Sequence, residues 1–198
     1  MKASISAFLS GFRSRWGALA AAACAGPLSL QLMAPGFVTP WPERPVVTGL
    51  ATIACAVALL LAFQVYLRRP AFEDHLVAVG LAVSAICLLT YLACWSMLLL
   101  DAEQTSNDGT PAAEIVAIRG FNRLPEISAH YPNDYENRKL WSEFQYHVES
   151  VWTGPSVAVA RIGTLLAYLG FFFGLTFAVA LLGARDKRSL KRSAKRVA

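Results

Sequence analysis

Three stretches of this chain, residues 46–67, 76–100 and 156–183, are apolar throughout, and Arg161 is the only full charge in any of them. Each is about 20 residues or longer, the length an α-helix needs to cross roughly 30 Å of hydrocarbon. Backbone amides have no water to bond to at that depth, so such a run must be helical. The same runs hold no Asp, Glu, Lys or His. They therefore offer no acid, base or haem-ligating histidine within the bilayer. Charged residues make up 16% of the chain, against about 25% in a soluble domain. The apolar residues come in blocks and not at helical period, which also argues against a soluble core.

Residues 16–34 supply a further candidate span, rich in alanine with Gly26-Pro27 in its middle. Proline removes a helical hydrogen bond and kinks the helix, and transmembrane helices tolerate this. The competing reading is a cleaved signal. Lys2, Arg13 and Arg15 would form its charged region, and Ala23-Cys24-Ala25 its cleavage site. A lipoprotein signal ending at Cys24 would lack the usual leucine three residues earlier. The retained span is preferred. The expected fold is then an all-α integral membrane protein, a four-helix transmembrane bundle with spans near 16–34, 46–67, 76–100 and 156–183.

Charge predicts the threading. Of the 18 Lys and Arg residues, Lys2, Arg13, Arg15, Arg68, Arg69 and seven in the 184–198 tail fall on one side of such a bundle. Arg44, Arg119, Arg123, Arg138 and Lys139 fall on the other. The positive-inside rule puts both termini in the cytoplasm and residues 101–155 outside. Arg161 is expected to snorkel to the outer interface. The basic tail is expected to lie against anionic lipid. It has no interleaved aromatic residues for base stacking, so nucleic acid is not expected. An Ala- and Arg-rich chain without an N-x-[ST] sequon points to a bacterial inner membrane.

The spans carry faces of small residues. Gly163, Ala167, Gly170, Gly174 and Ala178 recur along the last one. Gly80, Ser84, Cys87, Tyr91 and Cys94 do so along the third, and Ala51, Cys55, Ala58 and Ala62 along the second. Small residues on one face let helix backbones approach closely. They serve packing within the bundle, or a homo-oligomer or pore lining. All four cysteines, Cys24, Cys55, Cys87 and Cys94, lie within the spans, so the outer segment is not disulfide-stapled.

Function is expected in the outer segment. Residues 101–112 are polar and turn-forming, and 113–119 read as a short helix or strand. Residues 138–152 read as one amphipathic helix capped by Asn137, with Leu140, Trp141, Phe144, Val148, Val151 and Trp152 on its apolar face. Trp141, Phe144, Val148 and Trp152 are the partner-binding candidates on that face. Glu143 and His147 are spaced i, i+4, but the HExxH order is absent and no third ligand is fixed, so no metal is expected. Nine carboxylates against four bases give the segment a solvated acidic surface. There is no GxSxG, P-loop or Gly-rich dinucleotide loop, and neither an enzyme nor a cofactor is expected. The leading expectation is a non-enzymatic accessory or scaffold protein that binds a membrane-protein partner through this segment. The alternative is a membrane-perturbing effector or channel that self-associates through the small-residue faces.

Overall fold

The computed structural model describes residues 25–29, 32, 44–68, 73–105, 111–131, 136–145 and 147–197. Its elements are α1 (Arg44–Arg68), α2 (Glu73–Leu98), β1 (Leu99–Thr105), β2 (Pro111–Ile118), α3 (Pro125–His130), α4 (Asn137–Glu143), a 3-10 turn (Val148–Ser150) and α5 (Gly154–Val197). Segments Pro45–Leu67, His75–Leu98 and Gly154–Gly183 are long and apolar enough to cross a membrane. Most of the expected 16–34 span lies outside the described residues. Residues 25–29 form a helical turn in which Pro27 is fully buried. There a Cβ at Gly26 would come 2.9 Å from the ring of Phe172.

The last span is the hub: α1 and α2 both pack against α5. Between α1 and α5, Val47, Ala51 and Cys55 meet Ala167, Tyr168 and Phe172, with Tyr91 of α2 joining the cluster. Between α2 and α5 the contact is backbone on backbone. A Cβ at Gly174 would lie 2.7 Å from the Gly80 carbonyl oxygen and 2.9 Å from the Ser84 nitrogen. Several hydroxyls inside the apolar layer donate to backbone carbonyls. Thr52 donates to the Thr48 carbonyl at 2.9 Å, Thr164 to the Ala160 carbonyl at 2.8 Å, and Ser84 across the interface to the Phe171 carbonyl at 3.1 Å.

Four expectations need correction. The fold is mostly helical but also holds strand: β1 and β2 form an antiparallel hairpin, with Leu99 paired to Ile118 and Thr105 to Pro111. Residues 113–118 are its second strand, and 101–105 pair with them instead of forming a loose polar stretch. The 76–100 run is consequently divided, because its helix stops at Leu98 and its last two residues open β1. The single helix expected over 138–152 is also broken. Helix α4 ends at Glu143, and Gln145 takes a left-handed backbone with φ 53°. That conformation turns the chain out of the helix, and a separate 3-10 turn follows. The last apolar segment starts at Gly154, and its helix runs on through the basic tail for 44 residues in all.

The described residues within 99–153 form a cap with its own core. Leu100, Ile127, Leu140, Trp141, Val148, Val151 and Trp152 cluster with Val157 of α5, so the cap core continues into the last span. An isolated hairpin is marginal in water. Leu100 and Ile118, each 3% exposed, anchor this one.

Candidate functional site

The segment between β2 and α3 builds the site. Arg119 follows β2 directly and closes the end of α2. Its backbone N–H donates to the Leu98 carbonyl at 2.9 Å, and its Nε donates to the Met97 carbonyl at 2.9 Å. Helix C-terminal carbonyls have no partner within the helix and favour a cation nearby, so one residue meets both needs. Gly120 then lets the chain run against the first turn of α5. A Cβ there would collide with the Ser156 hydroxyl and reach 3.0 Å from Trp152 Cβ.

The following residues are clamped to the base of α5. The Asn122 carbonyl accepts from the Thr153 N–H at 3.0 Å and from the Ser156 hydroxyl at 3.3 Å. Arg123 bridges to Trp152, and the Leu124 N–H donates to the Val151 carbonyl at 2.9 Å. The Arg123 side chain crosses to α4, where Nη2 donates to Asn137 Oδ1 at 2.9 Å.

These contacts enclose an open polar cleft of about 500 Å³, lined by Arg119, Phe121, Asn122, Arg123, Ser128, Asn137 and Trp152. Among the described residues its lining holds two guanidiniums and no carboxylate. Burial and then repulsion from Arg123 push Arg119 below the usual guanidinium range. Phe121 stands at the cleft, 57% exposed. Trp152 is fully buried, and its indole N–H has no hydrogen-bond partner among the described residues.

The partner face expected from the sequence is turned inward. Trp141, Trp152 and Val148 are 0%, 0% and 7% exposed and make up the cap core. The helical period identified the apolar set correctly, but these residues face their own cap. Phe144 is half-buried and packs edge-on against Tyr131, ring centroids 6.3 Å apart. Glu143 and His147 no longer share a helix face, because α4 ends between them. Glu143 instead accepts from the Tyr131 hydroxyl, and that bond, with burial and the negative charge, pushes Tyr131 up. No group of three or more metal-ligating side chains occurs among the described residues.

The helix-packing candidates divide. Gly80, Ser84 and Cys87 of α2 meet Gly170 and Gly174 of α5, where a Cβ at Gly170 would lie 2.6 Å from Cys87 Sγ. Ala167 is buried against α1. Gly163 is an exception: it is exposed, with nothing within 4 Å of an added Cβ.

Sequence reasoning missed Arg119, Phe121, Asn122, Ser128 and Asn137 as a group. The available signal was Arg-Gly-Phe-Asn-Arg at 119–123, two bases flanking an aromatic residue within an otherwise acidic segment. Comparison with known proteins finds no matching family model, no matching curated protein and no matching solved structure.

Proposed function

We propose that this chain is a non-enzymatic membrane accessory protein that binds a membrane-protein partner through its cap. The observation that carries the reading is the way the cap is mounted. It has its own core and joins two spans without a linker, at Leu98–Leu99 and Thr153–Gly154. It also leaves Phe121 standing at the cleft. A surface held this firmly loses little conformational freedom on binding, so more of the contact energy becomes affinity. An aromatic anchor beside arginines is the composition of an interface hot spot. Phe121 therefore replaces Trp141 and Trp152 as the proposed anchor.

The proposal extends to the finer arrangement: four spans with 16–34 retained as the first, both termini cytoplasmic, and a bacterial inner membrane as the location. The buried Pro27 and the close approach of Gly26 to Phe172 support a fourth helix against α5. Twelve bases against five support the orientation. The effector reading draws less support, because Gly170 and Gly174, its proposed oligomer face, already meet α2 of the same chain.

Phe121→Ala tests the anchor. The variant is expected to insert like the wild type and to lose the partner that co-purifies with the wild type in mild detergent. If every partner is retained, Phe121 is not the anchor. Alkaline phosphatase fused after Asn107 is expected to be active, and fused after Lys187 inactive. The reverse pattern would overturn the orientation.

A further inference from the structure

We propose that the lipid headgroup layer, not hydrocarbon, surrounds the first two turns of α5, and that the hydrocarbon surface meets this helix at Arg161. The placement does not depend on what the cap binds.

The three apolar segments differ in length. Pro45–Leu67 and His75–Leu98 have 23 and 24 residues, whereas Gly154–Gly183 has 30. At 1.5 Å per residue these are about 35, 36 and 45 Å of helix, against roughly 30 Å of hydrocarbon. The excess of α5 lies at its cap end. The Ser156 hydroxyl accepts from the Asn122 N–H at 3.4 Å and donates to the Asn122 carbonyl at 3.3 Å. Val157 belongs to the cap core. Ala160, 2% exposed, packs with Leu98 and Ile118, which brings it level with the end of α2. The chain turns from helix to strand at Leu99. Strand backbone needs hydrogen-bond partners outside itself, which lipid does not supply. The hydrocarbon surface therefore lies no further out than Leu98 and Ala160.

The next residue is Arg161, the only full charge in the apolar runs. Its Nη1 lies 3.9 Å from Oε1 of Glu149, whose side chain is 79% exposed. Charge in hydrocarbon is costly, so a guanidinium beside a solvent-facing carboxylate marks the polar layer. Counted from Arg161, the apolar part of α5 runs 23 residues to Gly183, the length of Pro45–Leu67. The plainer account keeps the whole segment in hydrocarbon and tilts the helix. Fitting about 45 Å into roughly 30 Å takes a tilt of roughly 50°, outside the range of about 0–40° for transmembrane helices. It would also carry Ser156, Val157 and the Asn122 backbone bonded to Ser156 into the lipid.

The experiment is thiol labelling of the full chain in phospholipid vesicles. The probe is a charged, water-soluble maleimide, brought to both faces by freeze–thaw. Cysteine replaces Ala158, Val159 or Leu166, all exposed on α5, so none of the substitutions opens the core. The unsubstituted chain gives the contribution of the native cysteines. Thiolate is the reactive form, and hydrocarbon suppresses it. Ala158→Cys and Val159→Cys are expected to react about tenfold or more faster than Leu166→Cys. Leu166→Cys should react no faster than the unsubstituted chain. Either of the first two variants reacting as slowly as Leu166→Cys would put the first turns of α5 in hydrocarbon, or under another protein, and overturn the proposal. Leu166→Cys reacting as fast as Val159→Cys would move the hydrocarbon surface inward of Arg161 and overturn it as well.

Discussion

The α2–α5 contact and the cap solve the same packing problem with opposite materials. Where α2 meets α5, the closest pieces are Gly80, Ser84 and Gly174, and backbone touches backbone. In the cap, the centre is filled by Trp141 and Trp152, both fully buried. The surrounding solvent accounts for the difference. Lipid tails are as apolar as leucine, so burying a large side chain between two spans gains little, and close fit must hold the helices. Outside the hydrocarbon, water rewards apolar burial by roughly 25 cal/mol per Å². A tryptophan that hides 150–250 Å² there is worth about 4–6 kcal/mol. In a unit as small as the cap, two such residues are the largest pieces of the core.

The largest expected effect follows from that contrast. Trp141→Ala removes a fully buried aromatic ring and should cost about 3–5 kcal/mol, enough to unfold a small unit. The spans have no share in that core beyond Val157. Limited proteolysis of membranes should therefore cut the variant within 99–153 while the apolar segments stay protected. Equal resistance of the cap in variant and wild type would show that its tryptophans are not its main support.

An intermediate effect is expected at the helix contact. Gly174→Leu forces a side chain into the Gly80 carbonyl and the Ser84 backbone, and backbone cannot swing aside as a side chain can. Overpacking of this kind costs about 1–3 kcal/mol. The detergent-solubilised protein should melt several degrees lower, with Trp141 still buried as judged by cap proteolysis. If Gly174→Leu melts like the wild type, α2 and α5 are not held by close approach.

The sequence showed the two materials unequally well. The apolar runs were legible because one requirement, a helix of about 20 residues without charge, is unique to the bilayer. Their ends were less so: Leu99 and Leu100 read as helix yet form strand, because both states accept leucine and only pairing with Ile118 and Ala117 decides. In the cap, the set Leu140, Trp141, Val148, Val151 and Trp152 was legible as one apolar face. Its direction was not, since period alone cannot tell a face turned to a partner from one turned to its own core. The left-handed Gln145 left no mark, as glutamine is not a residue that announces that conformation. The cleft was the least legible feature. Arg119 reaches Met97 across 22 residues and Arg123 reaches Asn137 across 14, so folding alone brings its lining together.

The smallest effect sharpens the comparison within a single helix. Gly163 and Gly174 lie on the same α5 and belong to the same small-residue series, yet only Gly174 is in contact. A Cβ at Gly163 meets nothing within 4 Å. Gly163→Leu should therefore change the melting temperature by no more than a surface substitution does, within about 0.5 kcal/mol, and should slightly favour the helix through leucine's higher propensity. The measurement is a paired melt of Gly163→Leu and Gly174→Leu in the same detergent, with oligomer size read by light scattering. Equal destabilisation by the two variants would mean that Gly163 faces a second copy of the chain. A change in oligomer size caused by Gly163→Leu alone would restore the self-associating reading and move its interface one turn and more toward the cap. A silent Gly163→Leu beside a damaging Gly174→Leu would place the close-packed interface between α2 and α5 of one molecule, where Gly80 and Ser84 already meet it.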